Sequence, residues 1–170
     1  MFFYPKAYFE SVKDISIDFL NKNNIKALIL DVDNTILDFD KNIPEGIKEW
    51  CDDLKNKGIK FCIVSNTNKV DKVKKAAGCL QIPYFYFARK PSKAGLKKAV
   101  KLLEEKPENI AAVGDQIFTD VIGANRCKMF AILVKPISDK DILATRIKRP
   151  IENVVIKRYL KQYYKKDNNQ

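Results

Sequence analysis

Residues 25–39 read IKALILDVDNTILDF, an apolar run that stops abruptly at two aspartates, an asparagine and a threonine. Ile25, Ala27, Leu28, Ile29 and Leu30 form a continuous rather than alternating apolar stretch, the mark of a strand buried on both faces inside a parallel sheet. In open α/β sheets ligands bind beyond the carboxyl ends of the strands, so Asp31 and Asp33 fall where a site is expected. Two carboxylates about 4 Å apart at an effective dielectric near 20 repel by roughly 4 kcal/mol, which calls for a cation between them. The alternative reading of the pair is a turn or helix cap.

The pattern continues outward from this strand. Pro44 stands where a first helical residue would, and Ile47, Trp50, Cys51 and Leu54 recur at helical spacing up to Gly58. Residues 59–64 form a second buried strand ending in Ser65-Asn66-Thr67, with a helix over residues 70–77. Residues 82–87 are a third strand, ending at Ala88-Arg89-Lys90-Pro91, before a helix over 94–103. A fourth, 110–113, ends in Gly114-Asp115-Gln116-Ile117-Phe118-Thr119-Asp120 before a helix through Ala124, and residues 130–134 supply a fifth. Strands alternating with helices predict a three-layer, doubly wound, Rossmann-like parallel sheet with all strand ends on one rim.

At both ends lie segments of different character. Phe2, Phe3, Tyr4, Pro5, Tyr8 and Phe9 make an aromatic start, followed by a short helix through Phe19 and Leu20; aromatics bury large apolar area, so this segment is expected to pack on the body of the protein. From Ile142 onward, Ile151, Val154, Val155, Tyr159 and Tyr163 make an apolar helical stripe, with Lys157, Arg158, Lys161, Lys165 and Lys166 at other positions. Such a helix either docks on the sheet or lies against anionic lipid, where each basic residue contributes about 1 kcal/mol.

The 170 residues are read as one domain, residues 1–170, able to bury a sizeable core. No apolar stretch approaches the roughly 20 residues needed to span a bilayer, and residues 1–9 lack a signal-peptide pattern, so a cytoplasmic protein is expected. The net charge of +11 suits nucleic acid, an anionic membrane or a phosphorylated ligand. Lysine supplies 27 of the 32 basic residues, a bias that AT-rich coding also produces, so much of this charge is read as solvated surface. Cys51, Cys62, Cys79 and Cys127 form no CxxC pair and read as reduced, mostly buried thiols. Histidine is absent. Catalysis must then use carboxylate, hydroxyl and lysine.

Four strand ends therefore carry DVDNT, IVSN, ARKP and GDQIFTD, in that order. The order resembles the haloacid dehalogenase-like (HAD) superfamily, whose phosphatases show an apolar strand ending DxDxT, a second ending in Ser or Thr, a later Lys and a late acidic motif. A receiver domain shares the residue types but puts its acidic pair and its phosphorylated aspartate on different strands. From FYPKAYFESVKDI through GDQIFTDVIGANRCKMFAILVKP to the basic C-terminus, the chain is similar to the YqeG-type subgroup of class III HAD phosphatases, a branch similar to phosphatidylglycerophosphate phosphatases.

The resemblance implies an Asp31 nucleophile that forms an aspartyl-phosphate, and an Asp33 general acid and base. It implies a Mg2+ ion held by the carboxylates of Asp31 and Asp115 and the carbonyl of Asp33. Ser65 and the Asn66 amide would bind phosphoryl oxygens, with Thr35 orienting the loop of that phosphate-binding group. Lys90 would offset charge on nucleophile and phosphate, and Asp120 would fix Lys90 or a metal-bound water; a helix N-terminal carboxylate is the rival reading of Asp120.

Only 29 residues separate Thr35 from Ser65 and 24 separate Ser65 from Lys90, too few for the cap domain many superfamily members insert. An open site suits a bulky phosphomonoester. The aromatic start and basic end favour a lipid phosphate such as phosphatidylglycerophosphate, with peripheral contact to the inner face of the membrane. The rival readings are a phosphoprotein or nucleic-acid-end phosphatase, or an RNA- or partner-binding protein on the same scaffold.

Overall fold

The structure is a computed structural model that describes residues 2–138, 152, 154–159 and 161. Ile142, Ile151, Tyr163, Lys165 and Lys166, all part of the expected C-terminal element, lie outside the described residues.

Six strands form one all-parallel sheet: β1 (Ala7–Phe9), β2 (Ala27–Leu30), β3 (Lys60–Val64), β4 (Tyr84–Phe85), β5 (Ile110–Gly114) and β6 (Phe130–Val134), in spatial order β1-β6-β5-β2-β3-β4. The residues of β2 and β5 are all buried, as their unbroken apolar runs require. Successive side chains leave the sheet on opposite sides. Leu28, Leu30, Phe61, Ile63, Ala111, Val113, Ile132 and Val134 enter one core, and Ala27, Ile29, Cys62, Val64, Ile110, Ala112, Ala131 and Leu133 the other.

The first core is covered by α1 (Ile17–Lys22), α2 (Ile47–Asn56) and α3 (Val70–Leu80), through Leu20, Ile47, Cys51, Leu54, Val73 and Leu80. The second is covered by α4 (Lys93–Leu103), α5 (Ile122–Arg126) and the described part of the C-terminal helix. Each interval from β2 to β3 and from β3 to β4 holds one helix and no cap domain.

Three boundaries differ from the sequence expectation, each for a local reason. The second helix begins at Ile47 rather than Pro44, because Gly46 takes a left-handed φ of 84° and Pro44 ends up closing a turn, its carbonyl accepting from the Ile47 N–H at 3.3 Å. The third strand shrinks to Tyr84–Phe85, since the Ile82 N–H closes α3 on the Ala77 carbonyl at 3.1 Å and Phe87 has φ 50°. Residues 117–121 form a π-helical turn ahead of α5.

The edge strand β1 was not expected. It pairs in register with β6, Ala7 to Ile132 and Phe9 to Val134, while Phe9, Phe19 and Phe130 stack edge to face at 5.0 and 5.9 Å. At the other end, the helical residues 154–159 are seated on the body. Tyr159 is buried against Tyr4 at 6.0 Å, Val155 and Ile156 pack on the second core, and the buried Glu152 accepts from the Phe118 N–H at 3.1 Å. Val154 instead faces outward with Lys157, Arg158 and Lys161. No helix among the described residues is long and apolar enough to cross a membrane.

Candidate active site

The strand order reverses beside β2: β3 and β4 extend to one side, β5 and β6 to the other, and the crevice between the diverging connections is the expected ligand position. Asp31, Ser65 and Asp115 each immediately follow their strands β2, β3 and β5. They are buried together with Lys90 and Asp120. The π turn lays the Asp120 side chain across Gly114, where a Cβ would collide with the carboxylate, so glycine is what lets this carboxylate approach β5.

The Lys90 ammonium donates to Oδ1 of Asp31 and to Oδ1 of Asp120, both at 2.6 Å, with its own side chain only 4% exposed. The other Asp120 oxygen accepts from the Gln116 N–H at 3.2 Å and the Thr119 hydroxyl at 3.3 Å. Two hydrogen bonds hold the Lys90 backbone, since the Asn66 side chain donates to its carbonyl at 3.0 Å and accepts from its N–H at 2.6 Å. Asp31, Asp115 and Asp120 each bring an oxygen within 4.8 Å of the others. Burial raises Asp31 from 3.8 to about 6, with Lys90 working against the rise and Asp120 adding to it. Lys90 is held above the ordinary lysine value: burial alone would lower it, and Asp120 and Asp31 more than compensate.

The family model described as haloacid dehalogenase-like hydrolase matches residues 40–128, a segment that contains Ser65, Lys90, Asp115 and Asp120. Probable phosphatase YqeG of Bacillus subtilis (strain 168) is 37% identical over 156 residues, covering 91% of this chain and 90% of that protein. The chain belongs to the haloacid dehalogenase-like hydrolases. It is an enzyme of that family, of its phosphatase branch. The fold is shared with an uncharacterised Listeria monocytogenes serotype 4b protein (TM-score 0.55, 20% identity, 69% of this chain and 85% of that one). It is shared also with the cobalt-bound deoxy-D-mannose-octulosonate 8-phosphate phosphatase of Haemophilus influenzae (TM-score 0.52, 16% identity, 66% and 69%).

Within this hydrolase fold the remaining residues named from sequence take distinct places. Ser65 is buried, and its hydroxyl oxygen accepts from the Thr67 N–H at 3.2 Å. Asn66 spends its side chain on Lys90. Thr35 is buried in the turn after β2, with its N–H on the Val32 carbonyl at 3.4 Å and no hydrogen-bond partner for its hydroxyl among the described residues. It also touches a cleft of about 340 Å³ between the loops after β1, β2 and β6, which none of the crevice residues lines. Asp33 does not join the carboxylate cluster; its side chain forms an ion pair with Lys72 of α3.

Lys72 is the site residue that sequence reading missed. It is one of four lysines within seven residues, Lys69, Lys72, Lys74 and Lys75, and nothing in their spacing distinguishes it. The cysteines are all free: burial raises Cys51 to about 11 and Cys62 to about 12, but Cys79 is exposed, against the expectation of mostly buried thiols.

Proposed function

We propose that the chain is a single-unit, Mg2+-dependent phosphomonoester hydrolase working through an aspartyl-phosphate on Asp31. The observation that carries this reading is the buried group of Asp31, Asp115 and Asp120 around one lysine at the switch point of the sheet. Three buried carboxylates with oxygens within 4.8 Å of one another make a hard oxygen donor set, and a divalent ion is what such a set fits.

Asp31 and Asp115, with the Asp33 carbonyl, would hold Mg2+. When bound, the ion offsets charge on the nucleophile and on the phosphoryl oxygens. The Asp31 carboxylate attacks phosphorus in line, the bond to the substrate alcohol breaks, and Asp33 gives its proton to the leaving oxygen. Water then attacks the aspartyl-phosphate, its proton passes to Asp33, and phosphate leaves with Asp31 restored. The Ser65 hydroxyl and the Asn66 backbone amide donate to the phosphoryl oxygens, with Thr35 shaping the loop beside them. Lys90, oriented by Asp120 and Asn66, stabilises the charge that develops.

We propose a bulky lipid phosphate, such as phosphatidylglycerophosphate, as substrate, met at the inner face of a membrane by a protein that is not embedded in it. Four features support this: the crevice has no cap, Phe39 stands exposed on the loop after β2, Tyr86 and Phe87 stand exposed on the loop after β4, and the chain carries a net charge of +11.

The test is phosphate release by the native chain and by Asp31→Asn, with Mg2+ or with EDTA, from p-nitrophenyl phosphate, phosphatidylglycerophosphate in mixed micelles, a phosphopeptide and a 5′-phosphorylated oligonucleotide. The expected result is metal-dependent release that falls about 10³-fold or more in Asp31→Asn, fastest on the lipid. Preference for peptide or oligonucleotide overturns the lipid assignment. Metal-independent release, or release untouched by the substitution, overturns the mechanism.

A further inference from the structure

The mechanism above assigns Asp33 two proton transfers and leaves Lys72, the group that holds it, without a part. Lys72 lies in the first turn of α3, 39 positions along the chain from Asp33. Its side chain is 13% exposed and that of Asp33 25%, so the ion pair is mostly out of water, unlike the exposed pairs along α2. A largely buried ammonium is costly to leave alone, which gives Lys72 a strong preference for the carboxylate it faces. Its anchor is firm, because the adjacent Val73 and then Ala76, Ala77 and Leu80 are buried in the first core.

The carboxylate on the other side is less firmly placed. Asp33 sits in a turn closed by the Asn34 N–H on the Leu37 carbonyl at 2.9 Å, with Asn34 at φ 58°. Local backbone thus fixes where the residue is, while the direction of its carboxyl is set from across the crevice. One oxygen, Oδ1, is engaged by Lys72. The second remains to meet a leaving oxygen.

We propose that Lys72 is a positioning residue for Asp33, holding one carboxylate oxygen so that the other faces the leaving group. This assignment rests on the phosphatase reading above. A general acid contributes about 10²- to 10⁴-fold, and a displacement of about 1 Å forfeits much of that. The benefit depends on the leaving group. An alkoxide needs the proton; p-nitrophenolate leaves well without it.

The experiment compares kcat/KM for p-nitrophenyl phosphate and for glycerol phosphate, an alkyl ester, together with the inhibition constant of inorganic phosphate. The proteins are the native chain, Asp31→Asn, Lys72→Met, Lys72→Arg, Asp33→Asn and the double variant Lys72→Met/Asp33→Asn. Lys72→Met is expected to lose about 10- to 100-fold on the alkyl ester and no more than about threefold on the aryl ester, with phosphate inhibition unchanged. Lys72→Arg should recover most of the loss. In the Asp33→Asn background, the Lys72→Met change should cost nothing further, the non-additivity of groups that act as one.

Equal losses on both esters overturn the assignment, as does weakened phosphate inhibition that persists in the Asp33→Asn background, which would make Lys72 a direct phosphate contact. Native rates in Lys72→Met also overturn it. Asp31→Asn reads the underlying reaction separately. If it turns over like the native chain, the phosphatase reading falls and the Lys72 assignment falls with it.

Discussion

Asp31 and Asp33 are one residue apart, yet each bonds a different lysine, although the charge of Asp31 also acts on Lys72. Asp31 lies under the sheet rim with Lys90, in a buried group where one ammonium serves Asp31 and Asp120 and Asp115 stands close by. Asp33, with its side chain 25% exposed, is paired with Lys72. The inner group brings three carboxylates within 4.8 Å of one another, whereas the outer pair joins one carboxylate to one ammonium. A cation is therefore expected to strengthen the first more than the second, and the proposed nucleophile and proton carrier, one residue apart, stand in different environments.

Replacing the two lysines in turn gives the largest effect and the sharpest test of that contrast. Lys90→Met removes the ammonium that bonds both Asp31 and Asp120, and breaking a buried pair from one side costs about 3–5 kcal/mol. Lys72→Met should cost clearly less, measured as denaturant midpoints in EDTA at neutral pH. Equal losses would break the distinction.

Gly114→Ala comes next. The added methyl meets the Asp120 carboxylate, which must move and loosen its hold on Lys90. A loss of about 1–3 kcal/mol is expected, together with a fall in turnover, and it should appear in Gly114→Ala but not at Gly78, where a Cβ meets open space.

The smallest effect is in the pH dependence. Asp31 is raised from 3.8 to about 6 by burial, so between these values the folded metal-free protein binds more protons than the unfolded chain. The contribution of Asp31 to stability should then fall as pH rises through that window. In Asp31→Asn this fall is removed, so the variant should gain on the native chain from pH 4 to pH 6.5 in thermal melts taken in EDTA. Mg2+ should raise the native midpoint above pH 6 and leave the variant with a smaller shift. An Asp31→Asn variant that does not gain on the native chain across the window would contradict the burial of an ionisable Asp31.

Much of the site was legible because parallel sheets concentrate chemistry at strand ends. Apolar runs mark buried strands whatever surrounds them, and Asp31, Ser65 and Asp115 come directly after such runs. Lys90 was legible too, although its strand is only Tyr84–Phe85 and the Asn66 side chain, rather than the strand, holds it. The edge strand β1 escaped notice for the converse reason: at three residues of intermediate burial it carries neither a long apolar run nor a clean alternation, and it is a strand because β6 offers it hydrogen bonds.

The sequence by itself determined the alternation of strands and helices and the order of DVDNT, IVSN, ARKP and GDQIFTD, since these depend on burial and local backbone chemistry that each segment carries within itself. Only the tertiary structure decided which charges meet: Lys72 rather than its neighbours on Asp33, Lys90 shared between Asp31 and Asp120, Glu152 on the Phe118 N–H, and Tyr159 against Tyr4. Those contacts join residues 30 or more positions apart. Their geometry is set by how the crossovers stack helices on two faces of a sheet, which no local propensity encodes.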